Sequence, residues 1–178
     1  MKKLLIVLGI TLAILITNTQ VVAGGTSALK FFYLVKEFFP DKEHVDVFIA
    51  KHELDAQLEA INRASVQMKV KVHVHPIENS IDIGSAIKKL NSGSALVIFD
   101  SDVFDDNKNK LYILSKAKEK QIAVFTASQS YSESGAFLGC IPDAGGSKLI
   151  LNFKYSDTLK GSYDDAFLEK VGISQVIS

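Results

Sequence analysis

The chain is poor in cysteine and in arginine, and each shortage excludes a class of function. Cys140 is the single cysteine in 178 residues, which leaves no intramolecular disulfide scaffold and no multi-cysteine metal site. Arg63 is the single arginine among 20 basic residues, set against 20 acidic ones. A nucleic-acid binder carries a basic excess and several arginines, so no nucleic-acid partner is expected. Neither a P-loop nor G-x-G-x-x-G occurs, so phosphate-cradling nucleotide chemistry lacks its usual loop. G-x-S-x-G, the nucleophile elbow, is also missing. What remains is an ordinary globular composition: 47% hydrophobic and 22% charged residues, too apolar for a disordered chain.

The opening MKKLLIVLGITLAILITNTQVVAGG has the parts of a secretory signal: Lys2 and Lys3, an apolar run from Leu4 to Ile16, and small residues ending at Ala23. The run is shorter than the roughly 20 residues of a comfortable membrane span, although an uncleaved anchor is the alternative reading. No second apolar segment approaches that length. Residues 1–23 are thus expected to be a cleaved signal peptide, with a periplasmic or secreted mature chain from Gly24. Taking 23 from 178 leaves 155 residues, with 18 basic against 20 acidic side chains, a net charge of −2. That is the size of one domain.

Hydrophobic periodicity divides residues 24–178 into alternating elements. Ala28 to Phe39 predicts a helix with Leu29, Phe32, Tyr33, Val35 and Phe39 inward, stopped by Pro40. Val45 to Ala50 reads as a buried strand. Leu54 to Val66 predicts a helix facing inward through Leu54, Leu58, Ile61 and Val66. Lys69 to His75 alternates strictly and ends at Pro76, and Ser80 is expected to cap the next helix, which carries Ile83, Ile87 and Leu90. Ala95 to Phe99 is uninterrupted and apolar, as strands buried on both faces are. A helix from about Asp106 to Lys120 faces inward through Leu111, Leu114 and Ala117. The strand Ile122 to Thr126 then leads into a polar loop. Ala136 to Ile141 and Lys148 to Phe153 read as a hairpin, and a short helix near Ala166 to Val171 closes the chain.

This order predicts a single α/β domain over residues 24–178: a three-layer sandwich around a mostly parallel sheet, with an antiparallel edge hairpin near the C-terminus. In such sheets ligands bind beyond the carboxyl ends of the parallel strands, where strand order reverses. The candidate ligand-binding residues are therefore Lys51 and His52 after the first strand, Asp100, Ser101 and Asp102 after the third, and Ser128, Gln129, Ser130 and Tyr131 after the fourth. The loop at His75-Pro76 after the second strand also qualifies. This mixture of hydroxyls, an amide, carboxylates and a phenol suits a small polar ligand. Helix capping by Asp100 and Ser128, or a partner surface, would use the same residues.

Three further chemistries meet obstacles. ALVIFDSDVF resembles the Asp-x-Asp motif of haloacid-dehalogenase-type phosphatases, in which the first carboxylate is the nucleophile. There the motif opens the catalytic domain, whereas here it lies mid-chain, with Asp164-Asp165 the one later acidic pair in view. Calcium is suggested by Asp100, Asp102, Asp105, Asp106 and Asn107. Counted from Asp100, however, the sixth and twelfth loop positions are Asp105 and Leu111 rather than Gly and Glu. His73 and His75 share a face at strand spacing, close enough to share a metal, but solvent-facing residues of an outer strand look the same. No catalytic residue, cofactor or metal is assigned.

The element order also resembles the YfiR-like periplasmic proteins. The matching segments are FFYLVKEFFP, with Phe39 where a Trp is usual, then ALVIFDSD, IAVFTAS and SESGAFLGCIPD. GGSKLILNF with Asn152 and DDAFLEKV follow. The resemblance implies a non-enzymatic regulator that restrains a membrane-bound signalling protein with a periplasmic domain, such as a diguanylate cyclase, and so affects biofilm formation. Better-known members use disulfides, which a lone Cys140 cannot form. KAKEKQIAVFTASQSYSESGAFLGCIPD is in addition similar to the second lobe of ABC-transporter substrate-binding proteins. This likeness implies a one-lobed small-molecule binder, with the Ser128 to Tyr131 loop and Gly135-Ala136 beside the ligand cleft. Such proteins have two lobes, so a closing cleft would need a homodimer or another partner.

Overall fold

The computed structural model describes residues 27–144, 146–155 and 162–178; the expected signal segment lies outside them. Helix α1 spans Ala28–Phe38, opened by Ser27, whose Oγ accepts from the Lys30 amide at 3.3 Å. Its buried face is Phe31, Phe32, Leu34, Val35 and Phe38, while Leu29 and Tyr33 are exposed. The expected inward set had combined two faces. In a helix this rich in apolar residues, periodicity cannot select the buried face, and contact with the sheet does. Phe38 settles it by meeting Phe137, Tyr163 and Phe167 edge-on, with ring centroids 5.1–5.4 Å apart.

Strand β1, His44–Ala50, follows, and a 3-10 turn at Lys51–Glu53 leads into α2, Leu54–Met68. Only Ile61 and Ala64 of α2 are buried. Leu58 is exposed and Val66 is 79% exposed, against expectation, because α2 packs on α1 through one narrow stripe. Strand β2, Lys71–Ile77, runs through Pro76, which pairs with Ile49. Proline was expected to end this strand. It is tolerated because β2 is an outermost strand, where a missing N–H breaks no ladder bond on the open side.

Helix α3, Ser80–Lys89, is capped by Asn79 rather than Ser80. Asn79 Oδ1 accepts from the Ile81 and Asp82 amides, and Asp82 Oδ2 accepts from the Asn79 amide, a reciprocal capping box. Strand β3 is Ala95–Ile98. The short α4, Asp102–Asp105, then precedes α5, Asn107–Glu119, capped by Asp106. Ile113 and Ala117 form the inner face of α5, whereas Leu111, expected inside, is 51% exposed. Strand β4 is Ala123–Thr126, and the polar segment after it is a helix, α6, Gln129–Ser134, where a loop was expected. Strands β5, Leu138–Asp143, and β6, Gly146–Asn152, form the antiparallel hairpin. Helix α7, Asp165–Val171, precedes β7, Ile173–Ile177, a strand absent from the expected list, which lies parallel to β6.

The sheet order is β2-β1-β3-β4-β5-β6-β7, parallel except between β5 and β6. Alternation along the strands sends Val45, Val47 and Ile49 into one core with α1, α2 and α7. Phe48, Leu96, Ile98 and Val124 enter the other with α3, α4, α5 and α6. The result is the expected three-layer mixed α/β domain. Each fully buried Phe or Ile in these cores contributes about 1.5–3 kcal/mol by leaving water.

Candidate functional site

Strand order places the site. The chain leaves β1 through α2 for the sheet edge at β2, and then returns through α3 to β3 on the other side of β1. The junction of β1 and β3 is therefore the point where strand order reverses, and the loops beyond it must part. The last ladder bond there is from the Phe99 amide to the Phe48 carbonyl, at 3.0 Å. Beyond it opens a cleft of about 700 Å³. Ala50, Ile77 and Val103 supply its aliphatic surface, and Lys51, His52 and Glu53 form the wall after β1. Glu78 closes the side after β2, and Ser101 and Asp102 the side after β3.

The wall charges are partly paired. Lys51 Nζ lies 2.7 Å from Glu78 Oε2, bridging the ends of β1 and β2. Both side chains are more than 60% exposed, so the pair orients the rim and adds little stability. The hydrogen bond to Glu78, then the Glu78 charge, holds the Lys51 ammonium above its usual pKa. His52 Nε2 stands 3.7 Å from Glu53 Oε1. Ser101 occupies the cap position of α4 with extended backbone, but its side chain makes no capping bond. Asp100 is an exposed neighbour of the cleft, not part of its lining, and it caps no helix. Its carboxyl is held above the ordinary aspartate range by desolvation, then by the negative charges of Asp105 and Asp102.

The structure thus gathers Lys51, His52, Ser101 and Asp102 around one cleft and puts Ser128 to Tyr131 elsewhere. Ser128 Oγ donates to Asp105 Oδ1 at 3.0 Å and lies 3.0 Å from Ser130 Oγ. Gln129 Nε2 donates along α6 to Glu133 at 2.8 Å. Tyr131 is wholly buried, with its hydroxyl donating to the Phe104 carbonyl at 2.9 Å. Burial, then the Asp105 charge, pushes its phenol far above the ordinary tyrosine range. Ser128 and Tyr131 thus tie α6 to α4. Ala136 is likewise buried, in the core beneath α6, and Asn152 anchors Ser132 through a 2.8 Å bond from its amide to the Ser132 carbonyl.

Glu53 and Glu78 belong to the site and were not among the expected residues. Glu78 was hidden because Pro76 was read as the end of β2, whereas pairing continues to Ile77 and makes Glu78 the first residue beyond it. His73 and His75 do share a face, and both approach Asp46. Among the described residues, no group of three or more His, Cys, Asp or Glu is arranged to hold a metal ion. No helix among them is long and apolar enough to cross a membrane.

No protein-family model and no curated protein matches the sequence. Solved structures do share the fold. A conserved domain protein from Vibrio cholerae O1 biovar El Tor superposes with a TM-score of 0.71 at 17% identity, covering 84% of this chain and 60% of that one. An ABC domain in complex with L-Trp from Streptococcus pneumonia gives 0.71 at 12% identity, covering 85% and 62%. A ligand-free, open substrate-binding protein with adhesive properties from Clostridium difficile gives 0.62 at 17% identity, covering 86% and 60%. The chain therefore spans about three fifths of the length of the structures it matches.

Proposed function

We propose that this chain is an exported α/β binding domain that holds a small polar molecule in the cleft beyond β1 and β3, without catalysing a reaction. The observation that carries the reading is the coincidence of the 700 Å³ cleft with the reversal of strand order. Fold likeness to an L-Trp-bound domain and to a substrate-binding protein supports a one-lobed binder over a YfiR-like regulator. The leading segment, Lys2 and Lys3 followed by an apolar run, supports export. Binding rather than catalysis fits a site whose Lys51 is engaged by Glu78 and whose Ser101 has no base bonded to its hydroxyl among the described residues. Thermal denaturation of the mature chain against a panel of small polar metabolites tests the reading. We expect a ligand-dependent rise in Tm that Ser101→Ala or Asp102→Asn reduces and Ser130→Ala leaves intact. A panel that shifts nothing overturns it.

A second reading, restraint of a membrane-bound signalling protein, is favoured by Leu29 and Tyr33, which stand 37% and 39% exposed one turn apart on α1. Its test is a change in cyclic-di-GMP or biofilm output on deleting the gene, reproduced by the chain carrying Leu29→Ser with Tyr33→Ser. No change on deletion removes this reading.

A further inference from the structure

We propose that the cleft beyond β1 and β3 selects an aliphatic amine, a short hydrocarbon with a positive charge and no carboxylate; the proposal rests on the reading of that cleft as a ligand site. Three features of the lining point there together. First, its apolar surface is aliphatic: Ala50 and Ile77 are each 1% exposed, and Val103 is partly buried beside them. A hydrocarbon chain can lie against Val103, the more accessible of the three, and the one ring in the lining is the His52 imidazole on the wall after β1.

Second, the rim charges do not balance. Glu53, Glu78 and Asp102 face one ammonium, Lys51, which Glu78 already engages at 2.7 Å, and one imidazole, His52, which stands 3.7 Å from Glu53. Asp102 is in no ion pair among the described residues and Glu53 has only the His52 ring at 3.7 Å, so these two carboxylates on opposite walls are the ones a ligand would meet. Asp82 adds negative charge near Lys51, and Asp100 and Asp105 add it behind Asp102. An anion entering the cleft would meet carboxylates on both sides, and a cation would replace the repulsion between them with charge-assisted hydrogen bonds.

Third, the groups that usually receive a carboxylate or phosphate are committed elsewhere. Arg63, the chain's one guanidinium, is paired with Glu59 on the exposed surface of α2. Lys51 has Glu78 beside it, so an anion brought to its ammonium would also meet that carboxylate. The Ser101 hydroxyl, which makes no capping bond, offers one neutral contact between the charged walls.

Calorimetric titration of the mature chain at low ionic strength tests the proposal, using putrescine and agmatine against glutarate and inorganic phosphate. Amines should bind and anions should not, and raising the salt should weaken the amines. Asp102→Asn and Glu53→Gln should each weaken amine binding about tenfold, the scale of one lost charge-assisted hydrogen bond. Lys51→Met should tighten amine binding, because it frees Glu78; a site built for anions would instead lose binding. Both acidic positions are at the surface and their replacements are isosteric, so Ser130→Ala serves as the control for fold and binding. Glutarate or phosphate binding without amine binding overturns the charge selectivity and leaves the cleft as a ligand site. Binding of Ca²⁺ or Mg²⁺ alone at these carboxylates, with no amine bound, overturns it as well. If neither these probes nor any neutral metabolite binds, the ligand-site reading fails and the proposal with it.

Discussion

His75 Nε2 lies 2.8 Å from Asp46 Oδ1, joining an otherwise buried carboxylate on β1 to the outermost strand β2. Asp46 is 3% exposed, and its second imidazole neighbour, His73, stands off at 3.8 Å. A carboxylate taken out of water is costly unless a partner satisfies it, so His75 stabilises chiefly by preventing an orphaned charge. His75→Ala should lower the unfolding free energy by about 2–3 kcal/mol, whereas the double change with Asp46→Ala should cost less than the two singles together. Urea denaturation of the four chains measures this coupling, and strict additivity would remove the role given to the pair.

Asp100 predicts a pH dependence of stability. In the folded chain its carboxyl is held above the ordinary aspartate range by desolvation and then by the Asp105 and Asp102 charges. The folded chain therefore holds this proton more tightly than the unfolded chain does. Stability contributed by the group is present at low pH and is lost as pH rises from the ordinary aspartate range through the raised folded value. Asp100→Asn should accordingly be more favourable relative to the parent at pH 7 than at pH 3.5, in paired urea titrations. An equal difference at both values would contradict this assignment.

Tyr131 belongs to the core beneath α6 and not to the lining of the cleft. Its hydroxyl donates to the buried Phe104 carbonyl at 2.9 Å. Tyr131→Phe should cost about 1 kcal/mol through one lost hydrogen bond, and Tyr131→Ala about 3–5 kcal/mol through the cavity it leaves. Ligand affinity of the Phe variant should stay at the parent value in calorimetry; a tenfold loss would return Tyr131 to the site.

Gly139 shows how closely α6 sits on the sheet. A Cβ at this position would come 2.9 Å from Ser132 Cβ and nearer still to its hydroxyl, on a side chain that is itself wholly buried. Gly139→Ala should destabilise by about 1–3 kcal/mol through overpacking. Ser132→Gly made in the same chain should recover part of that loss, although glycine costs about 1 kcal/mol in a helix. Thermal denaturation that finds Gly139→Ala neutral would mean that α6 yields without cost.

The parallel core was legible because strands buried on both faces have no polar alternation. Ala95–Ile98 and Ala123–Thr126 are wholly buried, with little ambiguity in the apolar runs that announce them. The edges were less legible. Pro76 has an ordinary meaning as a stop, and only its position on the outermost strand lets it pair with Ile49. Strand β7 carries Gln175 and an exposed Val176, so its sequence has no burial signature; its partner β6 makes it a strand. In α2, Leu58 and Val66 matched a helical stripe that the contact with α1 does not reach.

Half of the site followed the same division. By itself the sequence determined an α/β domain with polar residues at the carboxyl ends of its strands, because element type and order follow from local periodicity. Lys51, His52, Ser101 and Asp102 were therefore within its reach. Only the tertiary structure decided which strand ends are neighbours. Putting β3 beside β1, with β2 outside, makes one cleft from three loops distant in sequence, brings in Glu53 and Glu78, and turns Tyr131 into the core. Local sequence can set a strand, but the pairing that lets loops diverge is a balance of packing over the whole sheet.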